Sequence, residues 1–158
     1  MPYVRPSDVG DAEKLAPYLR QADLVELAAA THRSPKETLS LGYCLAKPCR
    51  SFVNDDESII GMFGVTPMKT EDNIKTGAIW CLTSDELFKK RKYFMRNCRD
   101  EIKQMCKGYD KVLNFVHSEN TRHIRWIKAM GFNMAKKPTP FGHKEELFYY
   151  FEKVITDV

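Results

Sequence analysis

The amino-acid sequence predicts an α+β domain: a mixed, mostly antiparallel sheet with flanking helices. Three observations carry that expectation. Segments with the apolar spacing of helices give way to segments with the spacing of strands, in the order strand, helices, three strands, helix, strand, helix, two strands. Two of the most apolar extended runs, residues 77–83 and 111–116, flank a long amphipathic segment, which makes a parallel strand–helix–strand step. The other strands are joined by short polar connections, as in antiparallel pairing.

Taken in order, Tyr3, Val4 and Arg5 form a short strand, and Pro6, Ser7 and Asp8 supply turn and cap chemistry after it. Residues 11–20 are helical with Leu15 and Leu19 on one side, and Pro17 shortens or kinks that helix. Residues 22–31 are rich in alanine and leucine, strong helix formers. Ser34 can cap a further helix, with Pro35 at its first position and Glu37 in its first turn, running to about Ala46. Residues 50–53 and 58–65 read as a tight hairpin joined through Asn54, Asp55, Asp56 and Glu57. A polar connection follows over 67–75, and the nearly unbroken apolar run 77–83 suggests a central strand.

Ser84 and Asp85 then cap a long helix over 86–107. Its buried stripe is Leu87, Phe94, Cys98, Ile102 and Met105, helped by Met95, while Lys92, Arg96, Arg99, Lys103 and Lys107 occupy the far face. Gly108 stops it. A strand over 111–116, a helix over 120–130 and final strands over 132–136 and 147–154 around the loop 138–142 complete the chain.

At 158 residues the chain, 1–158, is expected to be one domain with a sizeable core. Its 43% hydrophobic and 29% charged residues suit a soluble globular protein. No apolar run approaches the ~20 residues that a membrane span needs, and the opening MPYVRPSD has no signal-peptide core. No membrane partner is expected. The 5 cysteines are odd in number and contain no CxxC pair, which argues against a disulfide framework and a zinc site. Cys98 and Cys106 are expected to be small core residues. The net charge of +4 permits an anionic ligand without demanding nucleic acid; binding of nucleic acid by the basic face of the long helix is the least favoured reading, because no aromatic–basic interleaving or motif supports it beyond the charge run.

Residues 120–132, NTRHIRWIKAMGF, are the most informative stretch. Asn120 stands where an N-cap belongs, Ile124, Ile127 and Met130 share one face with His123 and Trp126 beside it, and Gly131 can take the left-handed turn that ends a helix. This asparagine and the glycine-phenylalanine after it resemble the motif with which acetyltransferases of the GNAT superfamily finish their cofactor site. The element order resembles the GNAT fold over almost the whole chain. The resemblance implies that the strand at 77–83 splays from the strand at 111–116 and that acetyl-CoA, or CoA, lies in the cleft. It implies cofactor contacts from Trp80, Cys81, Leu82 and Thr83 on the strand and from Lys89, Lys90, Arg91 and Lys92 near the pyrophosphate. Asn120, His123, Trp126 and Ile127 would contribute from the helix.

More narrowly, WCLTSDELFKKRKYFMRNCRDEI and NFVHSENTRHIRWIKAMGF are similar to GNAT-like proteins of tailed phages, including the internal virion protein A group of T7-like phages. The chain departs from the family in three places. The pyrophosphate loop has no glycine, and its basic run either compensates by charge or is a solvated helix face. The position where many members carry an acidic tyrosine is Ile127. The third is the base, for which the candidates are His117 and Glu119 after the strand, His123 on the helix, and Asp85 or Glu86 at the start of the long helix, with His117 ranked first. The resemblance thus implies transfer of acetyl from acetyl-CoA to an amine of a protein or small molecule. The alternative is a catalytically inactive virion or assembly component, or a binder of a host protein. Either would act in the host cytoplasm, the latter also in the virion, and a homodimer through the last strands is compatible with both.

Overall fold

The structure, a computed structural model, describes residues 1–155. The element order is β1 (Tyr3–Pro6), α1 (Asp11–Leu15), α2 (Gln21–Ala30), α3 (Pro35–Leu45), β2 (Cys49–Val53), β3 (Ile59–Met68) and β4 (Thr76–Thr83). Then come α4 (Glu86–Lys89), α5 (Arg91–Met105), β5 (Lys111–His117), α6 (Thr121–Ala129), β6 (Asn133–Met134), β7 (Thr139–Phe141) and β8 (Glu146–Val154). One sheet runs in the order β1-β2-β3-β4-β5-β8-β6, with β7 paired to β8. Every pairing is antiparallel except β4 with β5.

Strand alternation divides the core into two layers. Odd positions of β4, such as Ile79 and Cys81, join Phe63, Phe94, Ile102, Val112 and Ile127 beneath α5 and α6. Even positions, Trp80 and Leu82, join Leu15, Leu39 and Met62 beneath α1 and α3. Several local expectations hold. Pro17 falls in a 3-10 turn, Ala16–Tyr18, that ends α1. Ser34 and Glu37 form a reciprocal capping box on α3. Gly108 and Gly131 take φ of +90 and +87 where helices stop.

Others are corrected. The helix expected over 86–107 breaks at Lys90, whose φ of −101 and ψ of 31 leave helical space, so α4 is a single turn and α5 starts at Arg91. Leu87 and Phe94 are seven residues apart and both buried, so the apolar stripe continues through the break and periodicity does not reveal it. Ser84 does not cap the helix; its hydroxyl donates to the Ile60 carbonyl at 3.2 Å. Met95, placed in the stripe, is exposed. Asn120 flanks α6, but its side chain caps nothing there and turns to α2 instead. The loop 138–142 contains β7, which tolerates Pro140 because it lies off the main path of the sheet.

Candidate active site

β4 and β5 pair only over Thr76–Ala78 and Lys111–Leu113, and then diverge. The side chain of Asn114 stands at the point of divergence, its Nδ2 donating to the Ile79 carbonyl at 2.7 Å. Beyond it the two strands leave backbone groups without a ladder partner, and burial obliges those groups to find others. A cavity of about 420 Å³ occupies the wedge, reaching from α5 and α6 on one side of the sheet to α2 and α3 on the other.

α2 closes the open end of the wedge. Asp23 and Glu26 are one turn apart, so both carboxylates face the sheet. Asp23 Oδ2 accepts from the Thr83 amide at the end of β4 at 3.1 Å, and Glu26 Oε1 accepts from the His117 amide at the end of β5 at 2.7 Å. The Arg20 amide donates to the Thr83 carbonyl at 2.9 Å. Arg20 also pairs with Asp23 at 2.8 Å, and both side chains are buried. Asn120 knits the group together: its Oδ1 accepts from Arg20 at 3.2 Å, and its Nδ2 lies 3.5 Å from both carboxylates.

The two carboxylates differ in chemistry. Asp23 is neutralised by Arg20 and held by the β4 amide. Glu26 has no guanidinium partner. Burial pushes its carboxyl above the ordinary carboxylate range, against the opposing influence of His123, the His117 amide and Asn120. Glu26 lines the cavity. A carboxylate raised in this way is a better proton acceptor near neutral pH than an exposed one.

The structure gathers some of the expected site residues and separates others. Trp80, Cys81, Leu82, His123, Trp126 and Ile127 line the cavity. Thr83 lies at its outer end, with both backbone groups already engaged by α2. Asn120 is buried behind the carboxylate pair. His117 does not line the cavity: its Nδ1 accepts from the Glu119 amide at 3.2 Å and its Nε2 meets Glu146 at 2.9 Å, so neither nitrogen has a free lone pair. Glu119 is exposed. Lys89 pairs with Glu86 and Lys90 with Asp55, while Arg91 and Lys92 are exposed at the start of α5. Phe88 lies between the guanidinium groups of Arg20 and Arg122, 4.9 and 5.0 Å from its ring centre.

Glu26, Asp23 and Arg20 escape the sequence reading. Asp23 and Glu26 sit in an alanine- and leucine-rich helix that looks like packing, Arg20 precedes its first residue, and only topology carries the three to Asn120, 94 to 100 residues later. The available signal is an arginine and two acids at three-residue intervals across the start of that helix.

Comparison with known proteins fits this architecture. Residues 71–139 match the family described as "Bacteriophage T7, probable scaffold protein Gp13". No curated protein sequence matches the chain. Among solved structures, Ard1 from Thermoplasma volcanium superposes with a TM-score of 0.73 at 15% identity, covering 99% of both chains. A ribosomal-protein-S5-alanine acetyltransferase from Vibrio fischeri gives 0.68 at 18% identity, covering 99% of this chain and 94% of its own. A GNAT phosphinothricin acetyltransferase from Sinorhizobium meliloti, solved with AcCoA, gives 0.67 at 13%, covering 98% and 88%. The chain therefore has the GNAT fold. Among the described residues no helix is long and apolar enough to cross a membrane.

Proposed function

We propose that this GNAT-fold chain transfers acetyl from acetyl-CoA to an amine, with Glu26 receiving the amine's proton. The observation that carries the reading is the wedge itself: an apolar cavity containing a carboxylate of raised proton affinity and a set of buried polar atoms that lack protein partners. Trp80 Nε1, Trp126 Nε1 and His123 Nδ1 are buried without a hydrogen-bond partner, and all three residues line the cavity. Buried polar groups are ordinarily paired. The indole N–H groups suit amide carbonyls, which the pantetheine arm of acetyl-CoA carries, so the residues present fit the cofactor.

When bound, acetyl-CoA supplies an acyl group activated as a thioester. Trp80 and Trp126 would orient the arm between β4 and β5, and the apolar walls would exclude water. Arg91, Lys92 and Arg122 are exposed and available to phosphate. Glu26 takes a proton from the attacking amine as the carbon–nitrogen bond forms and the carbon–sulfur bond breaks. That same proton is then available to the departing thiolate, a useful arrangement where Ile127 replaces an acidic tyrosine. Arg20, Asp23 and Asn120 hold Glu26 in place. The acceptor would approach past α2, α3 and the β7–β8 turn.

Replacing Glu26 with Gln keeps the shape and the acceptor for the His117 amide while removing the base. We expect kcat to fall by about 100-fold or more, with the KM for acetyl-CoA little changed. Equal turnover in both proteins would sink the assignment.

A second reading has its own observation. The last amide and carbonyl of β4 are already bonded to α2, and Phe88 sits between two arginines at the outer end of the strand. This is a sealed mouth, as expected if the fold serves a phage particle or binds a host protein without catalysis. The match of residues 71–139 to the phage scaffold family agrees with it. A chain that stays folded but ignores acetyl-CoA would decide for this reading. Either reading has the chain acting in the host cytoplasm, the second also in the virion.

A further inference from the structure

The net charge of +4 conceals a strong polarity. Thirteen of the 25 lysines and arginines fall in residues 89–107 and 122–137, with only two of the 21 acidic residues. The rest of the chain is therefore acidic, and the fold brings the two basic segments together. Arg99 on α5 donates to the Ala129 carbonyl at the end of α6 at 3.0 Å, and Phe94 stacks on Trp126 with ring centres 5.7 Å apart.

The cations point outward. α5 buries Phe94, Cys98, Ile102 and Met105, which leaves Lys92, Arg96, Arg99 and Lys103 exposed on the opposite side. α6 buries Ile127 and leaves Arg122, Arg125 and Lys128 exposed. Of the two acids, Glu101 turns inward to Arg50 at 3.1 Å, so Asp100 stands alone among the cations. From Lys92 to Lys103 the stripe is roughly 16 Å long at the helical rise of about 1.5 Å per residue.

We propose that the combined face of α5 and α6 binds the phosphate backbone of a nucleic acid without reading its sequence. Two observations select this partner. First, Cys98, Ile102 and Met105 line the wedge from the buried side of α5, whereas the cations stand on its exposed side, so a ligand inside the wedge leaves them uncovered. Second, the face lacks an apolar centre: Met95 is its one exposed large hydrophobic residue among those described. Protein interfaces generally have such a centre, with charged residues depleted from it. Arginines suit bidentate contacts with phosphate, and Arg91, Arg96, Arg99, Arg122 and Arg125 all lie on the face, exposed. This inference stands apart from acetyl transfer and does not depend on it.

The test is fluorescence anisotropy of a labelled 30-base-pair duplex with the full chain, across a range of NaCl concentrations. A dissociation constant in the range of about 1–100 µM at physiological salt is expected, with a slope of log K against log salt of about −4 or steeper. The variant R96E/K103E/R125E should bind at least about ten-fold more weakly, and R96Q/K103Q/R125Q should fall between it and the parent. The variant K14E/K69E/K144E changes the net charge equally but lies off the face, and it should retain binding within about three-fold. Circular dichroism confirms that each variant is folded. No binding at about 50 mM NaCl, equal losses in the two glutamate variants, or preferential capture of polyglutamate over the duplex would each overturn the proposal.

Discussion

Glu26 and Asp11 are both enclosed carboxyl groups, and their environments drive them in opposite directions. For Asp11, burial favours the neutral form, but hydrogen bonds from Arg5, the Asp8 amide and Ser51 outweigh it and hold the carboxyl below its ordinary range. Its contribution to stability is present above the unfolded pKa and is lost as pH falls through the lowered folded value. Asp11→Asn should cost about 3 kcal/mol at neutral pH and less in acid, measured by urea unfolding at several pH values. For Glu26 the shift is upward, so the folded state binds its proton more tightly than the unfolded chain. Stability from this group falls as pH rises from the unfolded value to the raised one, and activity rises over the same window as the base is released. The Glu26→Gln protein should lose this limb of the pH–rate profile; an unchanged limb would mean that another group titrates. Asp11 follows a turn that the sequence already marks with Pro6, Ser7 and Asp8. Glu26 has no such local marker, which is why the site's base is the least legible part of it.

At the scale of elements, most of the fold is legible because periodicity and punctuation agree. Ser34, Pro35 and Glu37 announce α3, Gly108 and Gly131 end helices, and the switch to strand spacing after Cys49 marks β2 and β3. The features that escape have no local signal. Lys90 breaks a helix whose apolar stripe continues from Leu87 to Phe94, and β7 has Pro140 at its centre and Pro138 just before it, which read as loop. The connection between α2 and the β7–β8 turn is likewise a product of tertiary structure. Gly142 takes φ +79, and a Cβ there would sit 2.4 Å from the Ala29 carbonyl oxygen. Next to it, His143 stacks on His32 with ring centres 3.8 Å apart. Gly142→Ala should therefore lift this turn from α2 and destabilise the protein by about 2 kcal/mol or more, visible as a lower Tm and faster amide exchange at Ala29 and Ala30. A variant with unchanged Tm and exchange would show that the turn tolerates the added methyl by rearranging.

The whole molecule is a sheet divided by one parallel step. Because β4 and β5 part after three paired residues each, the fold must satisfy both exposed strand edges, and it does so with Asn114 at the apex and two carboxylates of α2 at the mouth. Of the residues 120–132 that resemble the GNAT motif, His123, Trp126 and Ile127 line the wedge. The resemblance leaves open what α2 contributes. Of the two carboxylates that complete the fold, Glu26, the proposed base, also lines the cavity, and Asp23 closes the end of β4. Under the proposed function, acetyl-CoA would enter with α2 yielding at Thr83 while Glu26 stays in place. Calorimetric titration of the chain with acetyl-CoA, and with pantetheine as a fragment, is the most direct measurement. Our account predicts saturable binding of acetyl-CoA at a micromolar level with a negative heat-capacity change, because apolar surface is buried in the wedge. Pantetheine should compete for the same site more weakly. A folded protein that takes up neither ligand would contradict the transferase reading and leave the wedge as a structural consequence of the fold.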